Sequence, residues 1–282
     1  MNKKHLLAFF TATVLLLTLA GCTGTKEPGE SNMPSATVAG TVNTDGSTSM
    51  EKVVKALGEA FSTEYPSVTV NYNGSGSGAG VESVLNGSTD LGLASRSLKE
   101  EETASGAVAH VVALDGVVIV VNPENTVSDL TVEQIAGIYT GEIKNWSEVG
   151  GADMAIAAYG REAGSGTRSA FEEIVGIKDA CRYANEYSST GDVIGAVSNN
   201  PNAIGYASLA AVNDTVKALK VGGVACTEET VRSGEYAIQR PFVIITKEDV
   251  TLSTAAEAFL SYALSAEAAP VITAAGVVPA NG

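Results

Sequence analysis

Histidine is almost absent from this chain. There are two, and His5 falls in an apolar leader, so the remainder keeps only His110. One imidazole cannot build a multi-histidine metal centre or supply a second partner for a nucleophile–base pair. No Gly-Lys-Ser/Thr and no Gly-x-Ser-x-Gly occurs, which excludes a P-loop and a hydrolase nucleophile elbow. Gly74-x-Gly76-x-x-Ala79 is a loose dinucleotide-type match, but no acid closes a second strand at the required distance. Basic residues are scarce, 17 Lys and Arg against 32 Asp and Glu, for a net charge of −15. That balance makes nucleic acid and anionic membrane surfaces poor partners. Long apolar runs are missing too. The longest unbroken one, Leu6–Ala20, is short and sits just after Lys3 and Lys4, as in an export signal rather than a membrane span.

The leader ends Leu19-Ala20-Gly21-Cys22. Small residues before a cysteine at this distance from an apolar stretch resemble a bacterial lipobox, with Cys22 the lipidated first residue of the mature chain. Residues 1–21 then form a signal peptide. Residues 22–36, rich in Gly, Pro, Ser, Lys and Glu, form a tether too polar to bury a core. Without Lys3 and Lys4 the mature balance is 15 basic residues against 32 acidic, or −17. Cys181 and Cys226 remain, either as a disulfide in an oxidising compartment or as two buried thiols.

The full chain is 45% hydrophobic and carries 30 glycines, a globular and turn-rich composition, and the folded body is expected from residue 37. Short β-rich runs are expected at Val68–Tyr72, Leu91–Ala94, Val111–Val121, Ala155–Tyr159, Ala203–Tyr206 and Phe242–Thr246. The fourth of these is alanine-rich, and Asp115-Gly116 breaks the third. Helical patterns separate the runs, which argues for parallel or mixed sheets covered by helices.

Three helix starts stand out. Asp45-Gly46-Ser47-Thr48-Ser49 precedes an apolar face of Met50, Val53, Val54, Leu57 and Phe61, with Thr48 and Glu51 at capping-box spacing. Gly74-Ser75-Gly76-Ser77-Gly78-Ala79-Gly80 precedes Val81, Val84 and Leu85. Arg161-Glu162-Ala163-Gly164-Ser165-Gly166-Thr167 precedes Ala170, Phe171, Ile174 and Val175. A helix N-terminus leaves amides unpaired and carries about half a positive charge. Glycines admit an anion to the backbone and hydroxyls add donors. One such loop is an ordinary cap. Three of them, with an arginine entering the third, point to convergence on one oxyanion.

At these residues the sequence resembles the phosphate-binding proteins of bacterial phosphate ABC transporters, the PstS-like family. Arg161 to Arg168 is similar to that family's Arg-x-x-Gly-Ser-Gly-Thr loop, which implicates Arg161, Ser165, Gly166 and Thr167 in holding phosphate. The glycine-serine loop implicates Ser77. The first helix start implicates Thr48 and Ser49, and Ser47 less directly. Leu130-Thr131, Ile138-Tyr139-Thr140-Gly141 and Asn145-Trp146 also look like a family segment, read as packing. Where some members carry Ala-Ser-Asp, with an aspartate that accepts the ligand's proton, this chain has Ala94-Ser95-Arg96. Asp115 is the expected substitute acid, with Asp45 second, unless Asp115 is a turn residue before glycine. Arg96 is expected to pair with that aspartate or to touch the ligand.

The resemblance implies an α/β, two-lobed periplasmic-binding-protein fold of type II, with mixed sheets flanked by helices. Lobe 1 is expected over residues 37–116 plus 241–282, and lobe 2 over 117–240. It also implies a monomeric binding protein rather than an enzyme, without cofactor or metal. Its ligand would be inorganic phosphate and its partners ABC permease subunits with their ATPase. A lipid anchor would be its only hold on the membrane, and nucleic acid no partner. The rival readings are a receptor for sulfate, molybdate or tungstate, and a sensing module without transport.

Overall fold

The computed structural model describes residues 38–281. The segments expected as signal peptide and tether, with Cys22, lie outside the described residues. In chain order the elements are β1 (Gly40–Gly46), α1 (Glu51–Glu64), β2 (Val68–Asn73), α2 (Ser77–Leu85), β3 (Leu91–Ala94), α3 (Glu100–Ala104), β4 (Ala107–Val121), β5 (Asp129–Leu130), α4 (Val132–Thr140), β6 (Ala157–Arg161), α5 (Gly166–Val175), β7 (Asn185–Tyr187), α6 (Thr190–Ser198), β8 (Ala203–Ser208), β9 (Lys217–Ala218), β10 (Lys220–Val221), α7 (Glu228–Arg232), β11 (Gln239–Lys247), α8 (Thr254–Ala263), α9 (Ala269–Ala274) and β12 (Val278–Pro279). No helix among the described residues is long and apolar enough to cross a membrane.

The main sheet runs β2-β1-β3-β11-β4-β8-β6-β7. Parallel pairs at both ends (β1 with β2 and β3, β6 with β7 and β8) flank antiparallel pairs in the middle. This is the mixed α/β architecture of periplasmic binding proteins. β4 is its spine. Ala107–Gly116 pairs with β11, and Val117–Val121 pairs with β8. The core divides along the same strand. Val112 and Ala113 pack with Val42, Leu57, Phe61, Phe242 and Phe259. Val117, Ile119 and Val121 pack with Tyr139, Trp146, Phe171 and Tyr206. Each such fully buried side chain contributes roughly 1.5–3 kcal/mol. Trp146, expected as core, is fully buried, and its indole N–H donates to the Asn202 carbonyl at 3.0 Å.

Several local expectations need correction. Asp115-Gly116 does not break β4. Asp115 stays in register opposite Arg240, and Gly116 is the point where Cys226 packs, since a Cβ there would overlap its Sγ. Thr48 and Glu51 do not form a capping box. A single 3-10 turn, Thr48–Met50, precedes α1 without a side-chain cap, and Glu51 pairs with Lys55 instead. The run expected at Phe242–Thr246 extends to Gln239–Lys247, so Pro241 sits inside β11. It is tolerated because β3 pairs only with Val243–Ile245, so its missing N–H faces no strand. Cys181 and Cys226 are free thiols, not a disulfide. Cys181 donates weakly to the Ile177 carbonyl.

Candidate anion site

Four helix starts converge on one buried cluster of hydroxyls. From β1, β3 and the starts of α1 and α2 come Ser47, Thr48, Ser49, Ser77 and Ser95. From β6 and the starts of α5 and α6 come Arg161, Ser165, Gly166, Thr167 and Thr190. Ser47, Ser49, Ser77, Ser95, Arg161, Ser165, Thr167 and Thr190 are all at least 98% buried.

The two groups meet directly. Ser49 Oγ lies 2.8 Å from Thr167 Oγ1 and 2.9 Å from Thr190 Oγ1. Thr48 Oγ1 accepts from the Thr190 amide at 3.3 Å. The Gly78 amide, at the start of α2, donates to the Gly164 carbonyl at 3.0 Å. Ser47 donates to Ser95 Oγ at 2.8 Å, and the Ser95 amide donates to Ser77 Oγ at 3.1 Å. Gly166 is required by closeness: a Cβ there would overlap Ser77 Oγ and fall 2.8 Å from Ser95 Oγ.

Arg161 supplies the cluster's charge. Its Nε and Nη2 point at Glu162 and at the carbonyls of Tyr187 and Ser188. Nη1 points to Thr190 Oγ1 at 3.0 Å, which leaves the second Nη1 proton for an anion. The guanidinium therefore does not present a two-pronged fork to the cluster. Its backbone is pinned at both ends. The Arg161 amide donates to Tyr206 Oη at 3.1 Å, and Arg168 Nη1 donates to the Arg161 carbonyl at 2.9 Å. Tyr206 donates to Tyr183, Tyr183 to Glu172, and Glu172 also receives Arg168 Nε at 2.8 Å. Burial pushes the Tyr206 and Tyr183 hydroxyls up, so both stay neutral donors.

Ser165 has a second role besides its place in the cluster. It caps α5, its Oγ accepting from the Arg168 amide at 3.3 Å. Arg96 is not brought to the cluster and does not pair with Asp115. Both its terminal nitrogens reach Glu102, each at 2.7 Å. Burial raises the Glu102 carboxyl, but Arg96's hydrogen bonds and charge, with the Lys99 amide, hold it below the usual range. Asp115 is fully buried and its oxygens are filled. Oδ1 accepts from Ser208 Oγ and the Leu209 amide, at 2.8 and 3.1 Å. Oδ2 accepts from Arg240 Nε and Nη2, at 3.2 and 3.0 Å. Burial pushes Asp115 up and Arg240 down, while each partner's charge opposes the shift in the other. Asp45 also faces away. It accepts from Asn73, Ser75 and Ser83, which anchors the glycine-serine loop.

Two residues of the cluster, Thr190 and Ser95, and Arg240, which holds the Ser95 carbonyl, escaped the sequence reading. Thr190 begins α6 behind its cap Ser189, and Ser188-Ser189-Thr190-Gly191 carries the same hydroxyl–glycine signal as the other starts. Ser95 stood beside Arg96, which takes the place of an aspartate found in some relatives. Arg240, at the start of an apolar run, left no local signal. Among the described residues, no group of three or more His, Cys, Asp or Glu side chains is gathered as metal ligands would be.

Comparison with known proteins follows the same line. The model of the PBP superfamily domain matches residues 31–267. The phosphate-binding protein PstS of Bacillus subtilis is 31% identical, over 99% of this chain and 95% of its own. The PstS of Staphylococcus saprophyticus is 33% identical, over 87% and 81%. Among solved structures, a phosphate ABC transporter substrate-binding protein from Clostridium perfringens, with bound phosphate, is 38% identical. It aligns with a TM-score of 0.83 over 86% of this chain and all of that one. An ABC-type phosphate transport receptor from Vibrio cholerae is 32% identical, with a TM-score of 0.69 over 84% and 99%. The chain belongs to the PBP superfamily and, within it, to the PstS-like phosphate-binding proteins.

Proposed function

We propose that this protein captures inorganic phosphate outside the cytoplasm and delivers it to an ABC importer. The observation that carries the reading is the convergence of four helix starts and Arg161 on one buried hydroxyl cluster. The aligned helix dipoles and charge-assisted donors of such a site suit a compact oxyanion. The overall charge of −15 does not oppose it, because distant carboxylates are screened beyond about 8 Å at physiological salt. Phosphate bridges the two sides of the cluster and favours the closed form, which an importer can distinguish. The moving bodies in this reading are residues 37–116 plus 241–282 and residues 117–240. Processing before Cys22 and lipidation of that residue tether a monomer to the membrane. The partners are permease subunits with their ATPase. The role is binding rather than catalysis.

One observation favours a second reading, a wider oxyanion range. With Asp115 filled by four donors, the proton of phosphate must be accepted by hydroxyls, which can also turn to donate to sulfate. Calorimetry on the compact unit from Thr37 separates the two. One phosphate per chain with no heat from equimolar sulfate supports the first reading. Equal or tighter sulfate or molybdate binding overturns it.

A further inference from the structure

The Asp115–Arg240 pair touches neither Arg161 nor the helix starts, yet it is the most buried ion pair among the described residues, with side chains 0% and 1% exposed. Its place is specific. The two residues face each other across β4 and β11, at the residue pair where β4 passes from one hydrophobic core to the other. Arg240 reaches in one direction, its Nη1 donating to the Ser95 carbonyl at 3.0 Å. Asp115 reaches in the other, holding the Ser208 hydroxyl and the Leu209 amide at the end of β8. Ser95 is in the hydroxyl cluster through Ser47 and Ser77. Ser208 lies two residues beyond Tyr206, which holds the Arg161 amide.

We propose that Asp115 and Arg240 are positioning residues, a strut that ties Ser95 on one side of the anion site to the strand bracing Arg161 on the other. The inference rests on the phosphate-capture reading. Stability alone does not account for the pair, since apolar residues of similar volume commonly replace a buried ion pair without loss. What an apolar pair cannot do is hold a carbonyl on one side and a hydroxyl and an amide on the other at fixed spacing. Displacement of Ser95 by a bound anion is passed through Arg240 to Asp115 and on to the end of β8. The two sides of the site therefore tighten together.

The test uses the full-length chain in mild detergent, with inorganic phosphate as the probe. Binding is read by calorimetry and closure by amide hydrogen exchange. In the native protein, phosphate is expected to slow exchange at 47–50 and 77–81 on one side and at 165–169 and 189–192 on the other. The double variant Asp115→Leu/Arg240→Met removes both charges and leaves none unpaired. It is expected to melt within a few degrees of the native protein, to raise the phosphate Kd at least tenfold, and to lose the phosphate-induced protection at 47–50 and 77–81. A merely structural pair would move melting and leave Kd and protection unchanged. A Kd within threefold of native, with protection kept on both sides, overturns the proposal. Should the double variant not fold, Ser208→Ala decides. It keeps both charges and removes one donor from Asp115, and a severalfold weaker Kd supports the strut while an unchanged Kd overturns it. A native protein that shows no phosphate binding overturns the functional reading and the strut together.

Discussion

The two sides of the anion site are built in different ways. The side from β1, β3, α1 and α2 offers neutral hydroxyls on glycine-rich turns, and its anchor is Asp45, which holds the end of β2, the loop and α2 through Asn73, Ser75 and Ser83. The side from β6, α5 and α6 carries the charge. It is braced by a run of buried Tyr206, half-buried Tyr183 and buried Glu172, with Arg168 stacked 4.8 Å over the Tyr183 ring. Charge needs a rigid frame because a displaced cation loses most of its interaction, whereas a hydroxyl can rotate to follow its partner. In the proposed reading Arg161 and its frame hold the anion, and the hydroxyl side closes over it.

The sharpest way to break this comparison is Arg161→Ala. Phosphate affinity is expected to fall by at least the ~1.5–3 kcal/mol of a charged hydrogen bond, measured by calorimetry. Because Arg161 also holds the Tyr187 and Ser188 carbonyls, melting should drop as well. Loss of binding on Ser77→Ala as large as on Arg161→Ala would erase the distinction between the sides. Next comes Gly166→Ala. Its methyl would press on Ser77 and Ser95 and hold the sides apart, so affinity should fall about tenfold, ~1.4 kcal/mol, with ligand-free melting nearly unchanged. Ser165→Ala should do the reverse. Loss of the α5 cap costs ~1 kcal/mol of stability, read by denaturant melts, with affinity altered little.

The smallest effect concerns Arg96 and Glu102, outside the cluster. The folded Glu102 carboxyl lies below its unfolded value, so the pair's contribution is present above the unfolded pKa. It is lost as pH falls through the folded one. Glu102→Gln should flatten that acid limb of the stability profile slightly and leave phosphate binding as it was. A changed phosphate Kd in this variant would return Arg96 to the site.

What could be read from the chain depended on whether the signal was local. α1, α2 and α5 follow from apolar spacing and from stops at Tyr65, Asn86 and Gly176. β1, near the centre of the first half of the sheet, did not show itself. Its Gly-Thr-Val-Asn-Thr-Asp-Gly carries one apolar side chain, and its strand state comes from pairing with β2 and β3. Arg161, Gly166 and Thr167 were legible because glycine and hydroxyl residues adjoin a helix start. Arg240 was not, because its partners are 125 and 145 residues away. Asp115 stood out as an acid in an apolar stretch and was expected to read the ligand's proton; no sequence pattern says that Arg240 meets it instead. Thr48 satisfied the spacing rule for a cap, yet its hydroxyl is drawn across to Thr190 instead.

The lone tryptophan makes the comparison measurable without a label. Trp146 is sealed in the core that supports Arg161, with its indole hydrogen committed to Asn202. Its emission should be blue-shifted, indifferent to phosphate, and sensitive only to the opening of that core. The opposite core holds Phe61 and Phe259 but no tryptophan, so it is silent in the same experiment. Fluorescence and circular dichroism melts that coincide would mean the two cores unfold as one unit. Melts that separate would give each core its own transition temperature from a single unmodified sample.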